Sequence, residues 1–529
     1  MTEEPQNPNP APEEKPSVGR RDAVAALASV PVFGAFFATF FTKKAEDDFK
    51  RHKILDGLGI STEPTSAPAV IASGKRGDTI RLGIIGYGGQ GESLVRAAGF
   101  AHPEWPKQRT GGSRRFRRDT RLEDFLAQED LNVELSGVCD VFDVRAERAL
   151  AASNNDTRPG GGGGLSGATR FRHYQEMLDS PDVDAVIIGT PDHWHAQMTI
   201  DAVQAGKHVY CEKCMTRVAE EVPPVAEAIR GSNVVYQLGH QNRQLESHKK
   251  AREIVEKDIL GKITLVETTT NRNSSNGAWV YDIHPKASPE TIDWEQFQET
   301  APTKTPFSKE RFFRWRCWWD YGTGLAGDLL SHEYDALNQI LDLGIPKSAV
   351  ASGGVYYFKD GREAPDVLQV TYEYPDRDLT LLYSATLANG RGRGKVLMGH
   401  DASMEIGRGI RVLVDTGSTR YEDWLEEEMV DPDKPLLAYQ PGYKGVDAIT
   451  SATEEYFASR GLLYTYQGGR RVSTLHLHMR EWIDCIRNGG TPSCNVDRAY
   501  EEAITCHMSV EAYLRGRKVE WDPVQQKIV

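Results

Sequence analysis

At 529 residues, 39% hydrophobic and 26% charged, the chain is long enough for roughly two to four domains with sizeable cores. Its formal net charge of -13 excludes general nucleic-acid binding, which needs a basic surface. Seven cysteines, an odd number, are too few for a disulfide scaffold, and those inside apolar runs read as small core residues.

Met1 to Ser17, rich in proline, asparagine and glutamate, is predicted to be disordered. Gly19-Arg20-Arg21-Asp22 then precedes an apolar run from Ala23 to Phe41, ended by Lys43-Lys44 and about long enough to span a bilayer. The arginine pair before it resembles a twin-arginine export signal, with Asp22-Ala23-Val24 departing from the usual apolar residues. No clear A-x-A site precedes Lys43, so export to the periplasm with residues 23–41 kept as a membrane anchor is one expectation. A buried core helix and a cytoplasmic location are the alternatives. Residues 1–44 are set apart as this leader, and 45–78 as a linker with a short helical piece.

Thr79 to Ile85 reads as a strand running into Gly86-Tyr87-Gly88-Gly89-Gln90-Gly91, with helical residues after it. This G-x-G-x-x-G lets a pyrophosphate approach backbone N–H groups at a helix N-terminus; alone, it is an ordinary glycine-rich turn. Asp140 ends the next strand, Val133 to Cys139, where a carboxylate accepts from both ribose hydroxyls and repels a 2′-phosphate, so NAD is favoured over NADP. Between them an insertion, about Gly99 to Asp130, carries Arg109, Arg114, Arg115, Arg117, Arg118 and Arg121, either a solvated loop or a flap reaching phosphate. Arg145 is either a surface helix residue or stacked near the adenine.

Farther on, Val183 to Ile188 closes in Gly189-Thr190-Pro191-Asp192-His193-Trp194-His195. A helical stretch, Ala196 to Ala205, leads to a second strand closing in Cys211-Glu212-Lys213-Cys214. Polar residues at the carboxyl ends of both strands lie where open α/β sheets hold ligands. The Cys211-x-x-Cys214 spacing lacks a second ligand pair, so no metal site is expected. After a strand at 234–239, His240-Gln241-Asn242-Arg243 marks the domain crossing. Residues 79–240 are thus an α/β Rossmann nucleotide-binding domain. Beyond it, strands at 263–270, 349–358, 367–373 and 379–386 predict an α+β domain, 241–529, with a large, predominantly antiparallel sheet and C-terminal helices. Within it Asp328, His332 and Asp335 share one helix face, where a histidine beside a carboxylate is either a general base or a buried polar cluster. The aromatic run from Trp315 to Tyr321 is either core or a wall for a sugar ring.

Together these motifs resemble the Gfo/Idh/MocA oxidoreductases over about Thr79 to Asp522. The family's E-K-P motif maps to Glu212-Lys213, with Cys214 for proline, and its second-domain D-x-G-x-H-x-x-D segment to Asp328, His332 and Asp335, with Leu330 for glycine. The resemblance implies that Thr190, Pro191, His195 and Arg243 line the cofactor cleft with Gly86, Gly88, Gly89, Gln90, Gly91, Asp140 and Glu212. It implies an NAD(P)-dependent oxidoreductase acting on a ring hydroxyl of a sugar, glycoside or polyol, with Lys213, His332 and Asp328 catalytic. Two alternatives stand beside it: an NAD-dependent glycosidase working by transient C3 oxidation and elimination, and a non-catalytic sugar or nucleotide sensor. Pairing of second domains into a homo-oligomer is also implied.

Overall fold

The computed structural model describes residues 31–60, 78–107, 113–114, 117–118, 121–154, 167–407, 409–439, 464–467 and 470–529. Helix α1, Pro31–Leu58, is a unit by itself. It takes in the end of the apolar run and continues through Lys43-Lys44. Phe40 and Phe41 are more than half exposed on it. No helix among the described residues is long and apolar enough to cross a membrane. The arginine pair and residues 1–30 lie outside the described residues, as do Arg109, Arg115 and the glycine run 160–164.

Six short strands build the nucleotide-binding sheet: β1 (Ile80–Ile85), β2 (Val133–Cys139), β3 (Thr169–Phe171), β4 (Ala185–Ile188), β5 (His208–Cys211) and β6 (Tyr236–Leu238). All pair in parallel, in the order β3-β2-β1-β4-β5-β6. Parallel strands are covered by helices on both faces, which is why β1 and β4 read as unbroken apolar runs. The register sets Ile85 beside both Cys139 and Ile188, and Ile188 beside Cys211. The next residue of each chain therefore falls on one edge: Gly86, Asp140, Gly189 and Glu212. The strand order reverses at β1 and β4, and that edge opens a crevice there.

Helices α2 (Gly89–Ala97), α3 (Asp143–Ser153), α4 (Tyr174–Leu178), α5 (His195–Gln204) and α6 (Val222–Arg230) connect these strands. The core they enclose with the sheet contains Leu82, Ile84, Leu94, Val138 and Ile187, all almost fully buried. It also contains Leu475, Met479, Trp482 and Ile483, from a helix far along the chain at Thr474–Asn488. That helix is tied down by His478, whose Nε2 pairs with the Leu238 carbonyl at 2.9 Å, and by Gln237 Nε2 donating to the His478 carbonyl at 2.8 Å. The expectation that everything past 241 forms the second domain is corrected accordingly: the chain returns to finish the first domain's core. The physical reason is the apolar face of 475–483, which packs into that core, the Trp482 ring meeting Tyr210 of β5 edge to face at 5.7 Å.

The second sheet has ten strands: β7 (Ile263–Asn271), β8 (Ser348–Gly354), β9 (Val367–Tyr374), β10 (Leu379–Thr386), β11 (Lys395–Gly399), β12 (Ala402–Ile406), β13 (Ile410–Val414), β14 (Leu437–Tyr439), β15 (Val519–Asp522) and β16 (Lys527–Ile528). Their order is β14-β13-β12-β11-β7-β10-β9-β8-β15-β16. Among the described residues of this sheet, only β7 and β10 pair in parallel. Burial alternates along β10 and β12, as a sheet with one covered face requires. Behind it pack the helices Ser331–Leu341 and Val496–Arg515; Tyr372 on β9 donates to the Thr505 carbonyl at 2.9 Å. A third cluster fastens the segment 287–321 onto the end of β2: Phe142 is packed among Ile292, Phe297, Phe312 and Tyr321, and Asp143 N donates to the Thr291 carbonyl at 3.0 Å.

Candidate active site

The crevice predicted by the strand order is a cleft of about 1190 Å³, lined from one side by the first domain and from the other by segments 271–285 and 312–316. Its floor is the glycine turn. Gly86 has φ of +87°, and a Cβ there would sit 2.9 Å from the Gly189 backbone. A Cβ on Gly91 would lie 2.1 Å from the Gly86 carbonyl oxygen, so helix and strand approach closely only because both residues lack one. Gly89 has nothing within 4 Å of its Cβ position, and Gly88 only the Arg145 guanidinium at 3.9 Å. These two leave the backbone N–H groups at the start of α2 open to the cleft, the cradle a pyrophosphate needs.

Asp140 borders the same cleft and accepts from Tyr87 N at 2.6 Å and Phe142 N at 2.8 Å. Burial raises its pKa above the usual carboxylate range, against the opposing pull of Arg145 and of those two donors. Arg145 lies in the cleft wall, its guanidinium over Phe312 at 5.2 Å and Phe313 at 5.3 Å. Gln90 Nε2 donates to Glu212 Oε1 at 2.8 Å, tying the first glycine-turn helix to the second motif; Gln241 Nε2 donates to the same oxygen at 3.0 Å. Thr190, Pro191, Glu212 and Lys213 all line the cleft.

Lys213 reaches across to the second domain. Its ammonium donates to Asp328 Oδ1 at 2.8 Å and to the Asp328 carbonyl at 3.0 Å, with both side chains buried. Asp328 sits in a single π turn, Ala326–Leu330, ahead of the helix Ser331–Leu341. Its carboxylate also accepts from Arg316 Nε at 3.0 Å and Trp279 Nε1 at 2.7 Å, and lies 3.7 Å from Arg272. Trp279 is fully buried and holds φ of +65°, a left-handed backbone that a bulky residue adopts only when its surroundings demand it. It caps the short turn Asn276–Ala278, its backbone N–H donating to the Asn276 carbonyl at 3.2 Å, and from there its indole reaches Asp328. Cys214 follows Lys213 through a cis peptide bond.

Besides Gly91, which packs beneath the turn, four residues assigned to the site from sequence are not among those lining this cleft. Arg243 makes a two-pronged ion pair with Asp335 (Nε–Oδ1 2.8 Å, Nη2–Oδ1 2.5 Å) and donates to the Ser493 carbonyl, joining helices of the second domain. His195 is fully buried beneath the wall: its Nδ1 lies 2.5 Å from the Cys214 carbonyl and its Nε2 2.9 Å from the Thr190 carbonyl. Both ring nitrogens must donate, which calls for the imidazolium. Burial opposes that charge, but Cys211, Asp192 and the carbonyl acceptors outweigh it and raise the pKa to about 10. His195 thus fixes the backbone of the two cleft motifs. Asp328 stands behind the cations that it holds. His332, one turn on, is buried, its ring edge-to-face with His240 at 5.3 Å. Sequence reasoning missed Arg272 and Arg316 as cleft residues; Arg272 directly follows strand β7, a position that could have marked it.

Residues 80–240 match the oxidoreductase family with the NAD-binding Rossmann fold, Gfo/Idh/MocA. Over 192 residues the chain is 27% identical to the levoglucosan dehydrogenase of Pseudarthrobacter phenanthrenivorans, covering 34% of this chain and 41% of that protein. It is 29% identical over 167 residues to the alpha-N-acetylgalactosaminidase of Shewanella oneidensis, covering 31% and 28% of the two chains. The chain therefore aligns with less than half the length of these relatives. Among solved structures, a levoglucosan dehydrogenase in complex with NADH and L-sorbose superposes with a TM-score of 0.55 at 16% identity, over 84% of this chain and 100% of that one. That likeness is one of fold.

Proposed function

We propose that this chain, a Gfo/Idh/MocA oxidoreductase by the domain at residues 80–240, oxidises a ring hydroxyl of a sugar, glycoside or polyol by hydride transfer to NAD. One observation carries the reading: Lys213, its ammonium held 2.8 Å from Asp328, stands on the wall of the cleft that contains the open glycine turn and Asp140. NAD bound there would supply the carbon that accepts hydride. Gly88 and Gly89 leave room for its pyrophosphate, and the Asp140 carboxylate suits ribose hydroxyls and disfavours a 2′-phosphate, which makes NAD the cofactor of choice over NADP.

Lys213 gives up its longest bond, to the Gly327 carbonyl at 3.3 Å, to donate to the hydroxyl oxygen and stabilise the negative charge that develops as the proton leaves. Asp328 fixes the ammonium in place. His332, four residues beyond Asp328, is the base we assign to the proton; it is buried behind the cleft lining, so the assignment rests on the motif and not on the cleft geometry. Lys213→Ala and His332→Ala are each expected to lower turnover by about 10²–10⁴ with NAD still bound. Near-wild-type turnover in either variant removes that residue's role.

A second reading, NAD-dependent glycoside cleavage, is favoured by the alignment with the alpha-N-acetylgalactosaminidase and with a glycosyl hydrolase family 109 protein of Shewanella, 34% identical over 139 residues. It predicts release of a reducing sugar without net NADH, whereas dehydrogenation accumulates NADH. We further infer export, from Arg20-Arg21 and the apolar run after them. An exported enzyme cannot readily exchange soluble NAD, so the nucleotide is held tightly through purification. Protein that copurifies with no nucleotide, or that stays cytoplasmic in cell fractionation, speaks against this.

A further inference from the structure

The charge at the Lys213 end of the cleft carries an inference about the substrate. Three cations border the cleft there: Lys213, Arg272 and Arg316. All three converge on the single Asp328 carboxylate, at 2.8, 3.7 and 3.0 Å. The Asp328 side chain is 3% exposed and that of Arg272 2%, whereas Arg316 is 19% exposed, so the cleft meets chiefly Arg316 and Lys213, with Arg272 adding positive charge behind them. Arg316 is held from a second side as well, its guanidinium 4.1 Å from the Trp315 ring centroid. Anchored this way, the two guanidiniums keep a fixed direction before any ligand arrives, which lowers the ordering cost of binding.

Of the acidic residues that share the cleft, Asp282 is exposed on the wall formed by 271–285, and the other four are engaged elsewhere. Asp140 accepts from two backbone N–H groups at the nucleotide end. Asp192 accepts from Thr323 N and Oγ1 and raises the pKa of His195. Glu212 is held by Gln90 and Gln241. Glu92 pairs with Arg96 and Arg148. Beside the cations, the segment Asn271 to Asn276 adds amide and hydroxyl groups suited to sugar hydroxyls.

The geometry points to a substrate that carries a carboxylate: a sugar acid, whose ring hydroxyl meets Lys213 while its carboxylate is gripped by Arg316, with Arg272 reinforcing the positive charge behind it. Guanidinium recognises a carboxylate through charge-assisted bonds that a neutral sugar cannot form. This inference rests on the reading of the cleft as a sugar site.

The test uses the full chain loaded with NAD and paired methyl glycosides of hexuronic acids and of the matching neutral hexoses, in the gluco, galacto and manno series. Binding is followed calorimetrically, and turnover by NADH formation and by reducing-sugar release. The acid of at least one pair is expected to bind about tenfold or more tightly than its neutral partner, the worth of a charge-assisted hydrogen bond. That advantage should shrink in high salt, and in Arg316→Gln it should fall to a few-fold. Equal or better binding of the neutral sugar in every pair overturns the inference, as does an Arg316→Gln variant that weakens both members alike. The wild-type comparison stands without the variant if that fails to fold. Acid-selective binding with neither product keeps the inference and sinks the enzyme reading. Turnover of neutral sugars with no preference for acids does the reverse.

Discussion

Asp328→Asn isolates the charge arrangement at the centre of the site. The substitution keeps the side chain's shape and removes the anion shared by Lys213, Arg316 and Arg272. At 2.8–3.7 Å and an effective dielectric near 20, each pair attracts by about 4–6 kcal/mol, opposed by desolvation of all four groups and by repulsion among the cations. What survives is measured by breaking the set, and loss of one partner of a buried pair costs about 3–5 kcal/mol. At roughly 2 °C per kcal/mol for a large domain, melting should fall by about 6–10 °C. A double-mutant cycle with Lys213→Met, read by melting temperature in matched buffer, makes the argument specific. Removing one cation relieves part of the repulsion that the neutral amide exposes, so the double variant should be less destabilised than the sum of the singles by about 1–3 kcal/mol. Effects that add within about 0.5 kcal/mol would show that Lys213 and Asp328 do not interact, and the proposed anchoring of the ammonium would fall with them.

Two further outcomes follow from the first domain. Gly91→Ala drives a Cβ to 2.1 Å from the Gly86 carbonyl oxygen, backbone against backbone, and should cost about 1–3 kcal/mol or more while abolishing nucleotide retention. Gly89→Ala, with nothing within 4 Å, should melt at or slightly above wild type, since alanine favours helix over glycine by up to about 1 kcal/mol; a matching loss in both variants refutes the close-approach argument. His195→Gln tests the buried imidazolium through pH. The folded pKa of about 10 exceeds the ordinary 6.5, so the charged ring's stabilisation is complete below pH 6.5 and is lost as pH rises toward 10. The melting gap between wild type and variant should be widest near pH 6 and narrow steadily above it; a gap independent of pH would mean the ring is neutral.

The difference between what the chain declares and what it conceals follows sequence distance. The glycine turn, Asp140 and Glu212-Lys213 are legible because each closes an apolar run, and parallel pairing alone puts the ends of β1, β2, β4 and β5 on one edge. Nothing local marks the helix 474–488 as part of that domain. Its apolar face fits either core, and only the bonds to Leu238 and Gln237, some 240 residues earlier, decide. Arg243 fails in the opposite sense. A cation after the last Rossmann strand looks like a ligand until Asp335, 92 residues on, takes both its prongs. Arg272 and Arg316 stay hidden for the same reason, because their meaning lies in converging on one carboxylate. Trp279 is hidden more deeply still. Its left-handed backbone closes the turn Asn276–Ala278, and only the folded chain shows that this aims its indole at Asp328, the acid that holds Lys213. The resemblance named Lys213 and Asp328 separately. That they form one charged unit, shared with two arginines, is a property of the folded chain alone.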